Sequence, residues 1–148
     1  MTHSITLQGI AFRPKVKAPM QLKPETMVTR VAGIDGDARG KPGKRQVTLL
    51  SEEQWLLACE TLNTHLPWTI RRANLLLKGL QCDASLVGKQ IKIGGLILLV
   101  TGETDPCPKM DAQVMGLMQA LTPDWRGGVC CKVIADGRIK IGDSVSII

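Results

Sequence analysis

Glycine and proline cut this chain into pieces of strand length. Fifteen glycines and eight prolines are spread over 148 residues, and they bound short apolar runs rather than long periodic ones. The sharpest case is Gln90 to Ile93, Gly94-Gly95 and Leu96 to Thr101, two apolar runs joined by a two-residue loop that predicts a hairpin. Ser4 to Phe12, Thr26 to Ile34, Arg45 to Leu50 and Val129 to Ala135 read as further strands, and Val47 and Leu49 alternate against Gln46 and Thr48. Ile70 to Leu77 reads as a turn feeding a strand. Asp136-Gly137 predicts a type I′ turn that returns the chain through Arg138 to Ile141, and Gly142-Asp143 turns it again into Val145 to Ile148.

Only two segments have helical spacing. Ser51-Glu52-Glu53-Gln54 is a capping box, in which Ser51 serves the amide of Gln54 and the Gln54 side chain reaches back. Trp55, Ala58, Cys59 and Leu62 then recur on one face. Pro108 to Leu121 predicts a single helix with Met110, Val114, Leu117, Met118 and Leu121 on one side, a stripe that reads as core. Many short strands with two helical excursions predict a mainly β fold, a closed or partly closed barrel, in one domain over residues 1–148.

A net charge of +6 favours anionic partners. With no Tyr, one Phe and three Trp, stacking platforms for single-stranded nucleic acid are scarce, so a phosphorylated small molecule is the better match. The N-terminus lacks a secretory pattern and the longest apolar stretch, around Leu96 to Val100, is too short to span a bilayer, so a cytoplasmic protein with no membrane role is expected. Five cysteines without a Cys-x-x-Cys pair, and only His3 and His65 to assist, argue against a disulfide framework, structural zinc or an iron–sulfur cluster. Cys59 reads as core. Cys130 and Cys131 should face opposite ways, one buried and one not. Cys82 lies in a polar turn.

Three polar clusters interrupt the apolar plan. Gly33 to Gly40, followed by Lys41, Lys44 and Arg45, could cradle phosphate or form a solvated loop, and it contains no nucleotide-binding glycine motif. Arg71-Arg72-Ala73-Asn74 places two planar guanidinium forks, suited to phosphate, beside an amide that can donate and accept to a pterin-like ring. The same arginines could instead pair with Asp35, Asp37 or Glu60. In Thr104-Asp105-Pro106-Cys107-Pro108-Lys109, two prolines stiffen the backbone around a thiol near a lysine and a helix start, which favours the thiolate. A soft thiolate suits molybdenum, copper(I), zinc or sulfur transfer. An ordinary loop cysteine is the alternative.

In order, Gly33-Ile34-Asp35-Gly36-Asp37, Arg45 to Leu50, Arg71 to Leu75, the Gly88 to Gly94 turns, Pro106-Cys107, Gly127-Gly128-Val129 and Gly142-Asp143-Ser144-Val145 resemble the MOSC domain, over about residues 28–147. That family is named after the C-terminal part of molybdenum cofactor sulfurases. The resemblance implies a barrel-like fold with a basic cleft for a molybdenum–pterin cofactor. It implies Cys107 as the metal ligand and Arg45, Arg72 and Asn74 as cofactor contacts, with Arg71 beside them. Thr104 and Asp105 would line the metal, Asp105 as the candidate catalytic partner of Cys107. Relatives reduce N-hydroxylated compounds, while others are proposed to carry sulfur as a cysteine persulfide. The loop after Gly36-Asp37 lacks the histidine many relatives have there, and the extra N-terminal barrel of mitochondrial relatives has no counterpart in these residues. No flavin, haem or ferredoxin motif is present, so a reductase would need a separate electron-donor protein, and a carrier would need a cysteine desulfurase. The expectation is a molybdenum-cofactor-binding oxidoreductase. The alternatives are a sulfur carrier and a barrel-type nucleic-acid-binding module.

Overall fold

Seven strands close on themselves in the computed structural model, which describes residues 4–148. His3 lies outside the described residues. The strands are β1 (Ile5–Phe12), β2 (Gln21–Leu22), β3 (Glu25–Thr29), β4 (Gly33–Ile34), β5 (Val47–Ser51), β6 (Leu75–Lys78), β7 (Gln90–Ile93), β8 (Leu96–Glu103), β9 (Val129–Ala135), β10 (Gly137–Lys140) and β11 (Ser144–Ile147). Helices α1 (Glu52–Thr61), α2 (Lys109–Gln113) and α3 (Leu117–Leu121) complete the set. The barrel order is β1-β6-β5-β9-β8-β7-β11, and β11 pairs back onto β1. All its pairs are antiparallel except β5–β6, which α1 connects as a crossover. β2 extends the sheet beside β1, and β3, β4 and β10 form a separate three-stranded sheet.

Alternation fills the interior. Ile91 and Ile93 of β7 are fully buried and Lys92 between them is exposed. Leu7, Leu49, Leu75, Leu77, Leu98, Val133 and Val145 join them in one core. Each such side chain removed from water contributes about 1.5–3 kcal/mol. A second core lies outside the barrel, where Leu50 and Leu76 meet Trp55, Ala58 and Cys59 of α1 and Leu117, Ala120 and Leu121 of α3. Cys59 is therefore a packing residue, as its helix face predicts.

The expected mainly β barrel is the fold present, with local departures. The run from Thr26 to Ile34 is a tight hairpin, β3–β4, closed by Ala32 N–H donating to Thr29 Oγ1 at 3.1 Å. The Asp136-Gly137 turn does not return the chain along β9, because β5 and β8 already occupy both edges of β9. Asp136 instead accepts from the Arg30 amide at 2.7 Å, and β10 pairs with β3. The helix expected from Pro108 to Leu121 breaks into α2 and α3. Val114 is extended and Gly116 has φ +85°, a conformation that glycine adopts without strain. Ser51 Oγ caps α1 by accepting from Gln54 N–H at 3.3 Å. The Gln54 side chain does not reach back; it donates to Cys82 O and Asp124 O and accepts from Cys82 N–H. Cys82 is consequently buried rather than in an open turn, and burial pushes its thiol up to about 12.

Candidate functional site

The loop from β8 to α2 carries Thr104, Asp105 and Cys107, and the segment leading into β6 carries Arg71, Arg72 and Asn74. The two segments meet at a cleft of about 340 Å³ where β1, β5, β6, β8 and β9 begin or end. All seven candidate residues, Arg45, Arg71, Arg72, Asn74, Thr104, Asp105 and Cys107, line it. Positions 33 residues apart in sequence thus share one site through the strand order β6-β5-β9-β8, with Arg71 Nη2 donating to Thr104 O at 3.0 Å.

Arg71 is the bracket of this site. Its guanidinium is buried and donates to Gly127 O through Nε at 3.1 Å and Nη2 at 3.0 Å, while Nη1 lies 3.5 Å from Met110 Sδ. The network considered for it with Asp35, Asp37 or Glu60 does not form. The one ion pair among the described residues is the exposed Arg138–Glu25 pair at 3.9 Å. Burial lowers the Arg71 group to about 10, against the pull of Cys107 and Cys130. Arg71 therefore fixes the cysteine loop against the Gly127 turn. A side chain at Gly127 would fall 2.6 Å from Thr104 O, so only glycine permits this approach.

Asn74 is also held by the fold. Its Oδ1 accepts from Thr48 N–H at 3.0 Å and Thr48 Oγ1 at 3.2 Å, and its Nδ2 donates to Ala11 O at 3.2 Å. One amide N–H is left for a ligand. Arg72 and Cys107 are half-buried, while Arg45 and Asp105 are exposed at the rim. The Cys107 carbonyl accepts from Met110 N–H at 3.0 Å, so the thiol sits at the entry to α2. Nearby, Glu103 is raised by partial burial and by Asp105.

The glycine-rich cluster divides. Asp37 and Arg39 join Arg45 in the cleft, and Asp37 Oδ1 accepts from the Arg13 amide at 3.1 Å. Sequence reasoning missed Arg13 and Cys130 among the lining residues, besides Met20 and Thr48. Arg13 directly follows β1 and precedes Pro14, and nothing in its spacing marks it. Cys130 was legible from alternation alone, since Cys131 faces the core. Both are buried, contrary to the expectation of one exposed thiol, because the loop at Thr104 covers Cys130. Thr104 Oγ1 lies 3.2 Å from Cys130 Sγ.

Six cations, Arg13, Arg39, Arg45, Arg71, Arg72 and Lys109, face two carboxylates, Asp37 and Asp105, across this cleft. Such an excess selects anions. Among the described residues no three His, Cys, Asp or Glu side chains gather as a metal site, so a metal bound at Cys107 would take its other donors from a ligand. No helix among them is long and apolar enough to cross a membrane.

A family model described as the MOSC domain matches residues 29–146. No curated protein sequence is similar enough to match. Among solved structures, the YUAD protein from Bacillus subtilis superposes with a TM-score of 0.81 at 18% identity, covering 97% of this chain and 95% of that one. YiiM from Geobacillus stearothermophilus gives 0.77 at 15% identity over 97% and 75% of the two chains. YiiM from Escherichia coli gives 0.72 at 18% over 97% and 69%. At these identities the likeness extends to the fold.

Proposed function

Since the chain belongs to the MOSC domain family, we propose that its cleft binds a molybdenum–pterin cofactor through Cys107 and reduces N-hydroxylated compounds. The observation that carries this reading is a half-buried thiol sharing a cleft with six cations and only two carboxylates. Those residues fit the group. A soft sulfur suits molybdenum, and guanidinium forks suit a phosphate.

When bound, the cofactor would supply the two-electron redox chemistry needed to take oxygen from nitrogen. The rest falls to the chain. Cys107 holds the metal, Arg45 and Arg72 neutralise the phosphate, and Asn74 offers its remaining N–H to the ring. Arg71 keeps the Thr104 to Cys107 backbone in place. Asp105, exposed at the rim, delivers a proton to the departing oxygen, so that R–NHOH, two electrons and two protons give R–NH2 and water. Electrons come from a separate donor protein.

Protein made in a cofactor-competent host is expected to carry near-stoichiometric molybdenum by elemental analysis, and Cys107→Ala to lose it. Wild-type protein without molybdenum would overturn the reading. The burial of a second thiol, Cys130, in the same cleft favours one other reading, a persulfide carrier loaded at Cys107 by a cysteine desulfurase. Metal-free protein carrying sulfane sulfur on Cys107 by mass spectrometry would select it.

A further inference from the structure

A larger hollow of about 650 Å³ adjoins the thiol cleft. Arg13, Met20, Arg72 and Lys109 form the ridge between them and line both. Cys107, Arg45, Asn74 and Thr104 line the thiol cleft alone. Beyond the ridge the walls change character: Ala18, Pro19, Ile70 and Met110 offer an apolar floor, and Lys17 adds another cation. Among the described residues no carboxylate lines this hollow.

Arg13 is the informative residue. It is 3% exposed, and none of its guanidinium nitrogens donates to a protein atom among the described residues. Its charge is disfavoured by burial and by Arg72 and Arg39, with Asp37 a weaker counterweight. An enclosed cation beside like charges is costly unless an anion answers it. The fold keeps it there by tying its backbone to Asp37 and Ala38 on either side.

We propose that this hollow is a second binding subsite, in which Arg13 and Lys17 take a phosphate-type dianion borne by the substrate rather than by the group held at Cys107. The apolar floor receives the organic body of that substrate, and the ridge places it against the thiol cleft. The proposal rests on the cofactor reading only for the word substrate; the subsite itself stands without molybdenum.

Phenyl phosphate tests it, by calorimetric titration of the full chain at fixed ionic strength, in cofactor-loaded and cofactor-free protein. Both forms are expected to bind it, with Arg13→Gln weakening the affinity about tenfold and Lys17→Gln about threefold, the size of one charge-assisted hydrogen bond or less. Lys17 is exposed, so its variant keeps the test valid if Arg13→Gln fails to fold. Affinity no better than for chloride, or affinity unchanged in the folded variants, overturns the subsite. Binding that vanishes when the cofactor is loaded also overturns it, because the dianion would then be the cofactor's own. Molybdenum content is measured separately, so loss of one reading leaves the other standing.

Discussion

At the scale of single residues, Arg71 shows how a charge can serve as architecture. It spends its donors on the carbonyls of Thr104 and Gly127 and has no carboxylate partner. Arg71→Gln should cost about 2–4 kcal/mol in urea denaturation, since it leaves two carbonyls under-satisfied in a buried place, and Arg71→Lys should recover only part because it lacks the fork. Cys82 offers a pH signature. Its thiol titrates near 12 when folded, against an ordinary value of 9.0. The folded state therefore keeps a proton that the unfolded chain releases. This support is complete below about pH 9 and is lost as pH rises from 9 towards 12, by about 1.4 kcal/mol per unit. Urea midpoints should fall between pH 8.5 and 10.5, and Cys82→Ala should flatten that fall. Cys131, raised in the same direction by burial, accounts for what slope remains. Cys107 and Arg72 were legible in sequence because residue chemistry and neighbours marked them. Arg13 was not, because its meaning lies in enclosure, which no spacing encodes.

At the scale of elements, local pattern was a good guide wherever short-range chemistry decided the outcome. The Gly94-Gly95 hairpin and the Ser51 cap form as read, whereas the alternation expected from Gln46 into β5 breaks at Gln46, which is buried and hydrogen-bonded to Arg30 O, Gly40 O and Val133 N–H. Pattern failed where a partner strand decided. β10 follows a good hairpin turn yet joins β3, and Gln54 leaves its capping role for bonds to Cys82 and Asp124. Those bonds dock α1 on the barrel. Gln54→Ala is expected to lower stability by about 2–4 kcal/mol, three hydrogen bonds, two of them buried, being removed together, and to loosen α1 selectively in amide hydrogen exchange. The break between α2 and α3 makes a similar point. Gly116→Ala should cost about 1 kcal/mol or more in thermal melts through its left-handed backbone, where the same change inside a continuous helix would help.

At the scale of the whole molecule, the run of neighbouring strands β1, β6, β5, β9 and β8 brings the site together, and β11 closes the ring. Val145 lies opposite Ile5 on one side and Ile93 on the other, so β11 seals the ring. Val145→Asp should open that seam, costing more than about 3 kcal/mol and broadening the unfolding transition seen by circular dichroism. The architecture was readable from the cadence of glycines and short strands, but the strand order was not, since it depends on pairings between distant segments. That order has a consequence for synthesis. The first strand finds one of its two neighbours in the ring only when β11 has been made, and the thiol cleft draws on residues from Arg13 to Cys130. A chain that has not yet reached β11 cannot complete the ring. Such distant pairings place folding in the slow, millisecond-to-second class. Any ligand of the cleft is therefore captured only by chains that extend past Cys130, and shorter ones cannot sequester it.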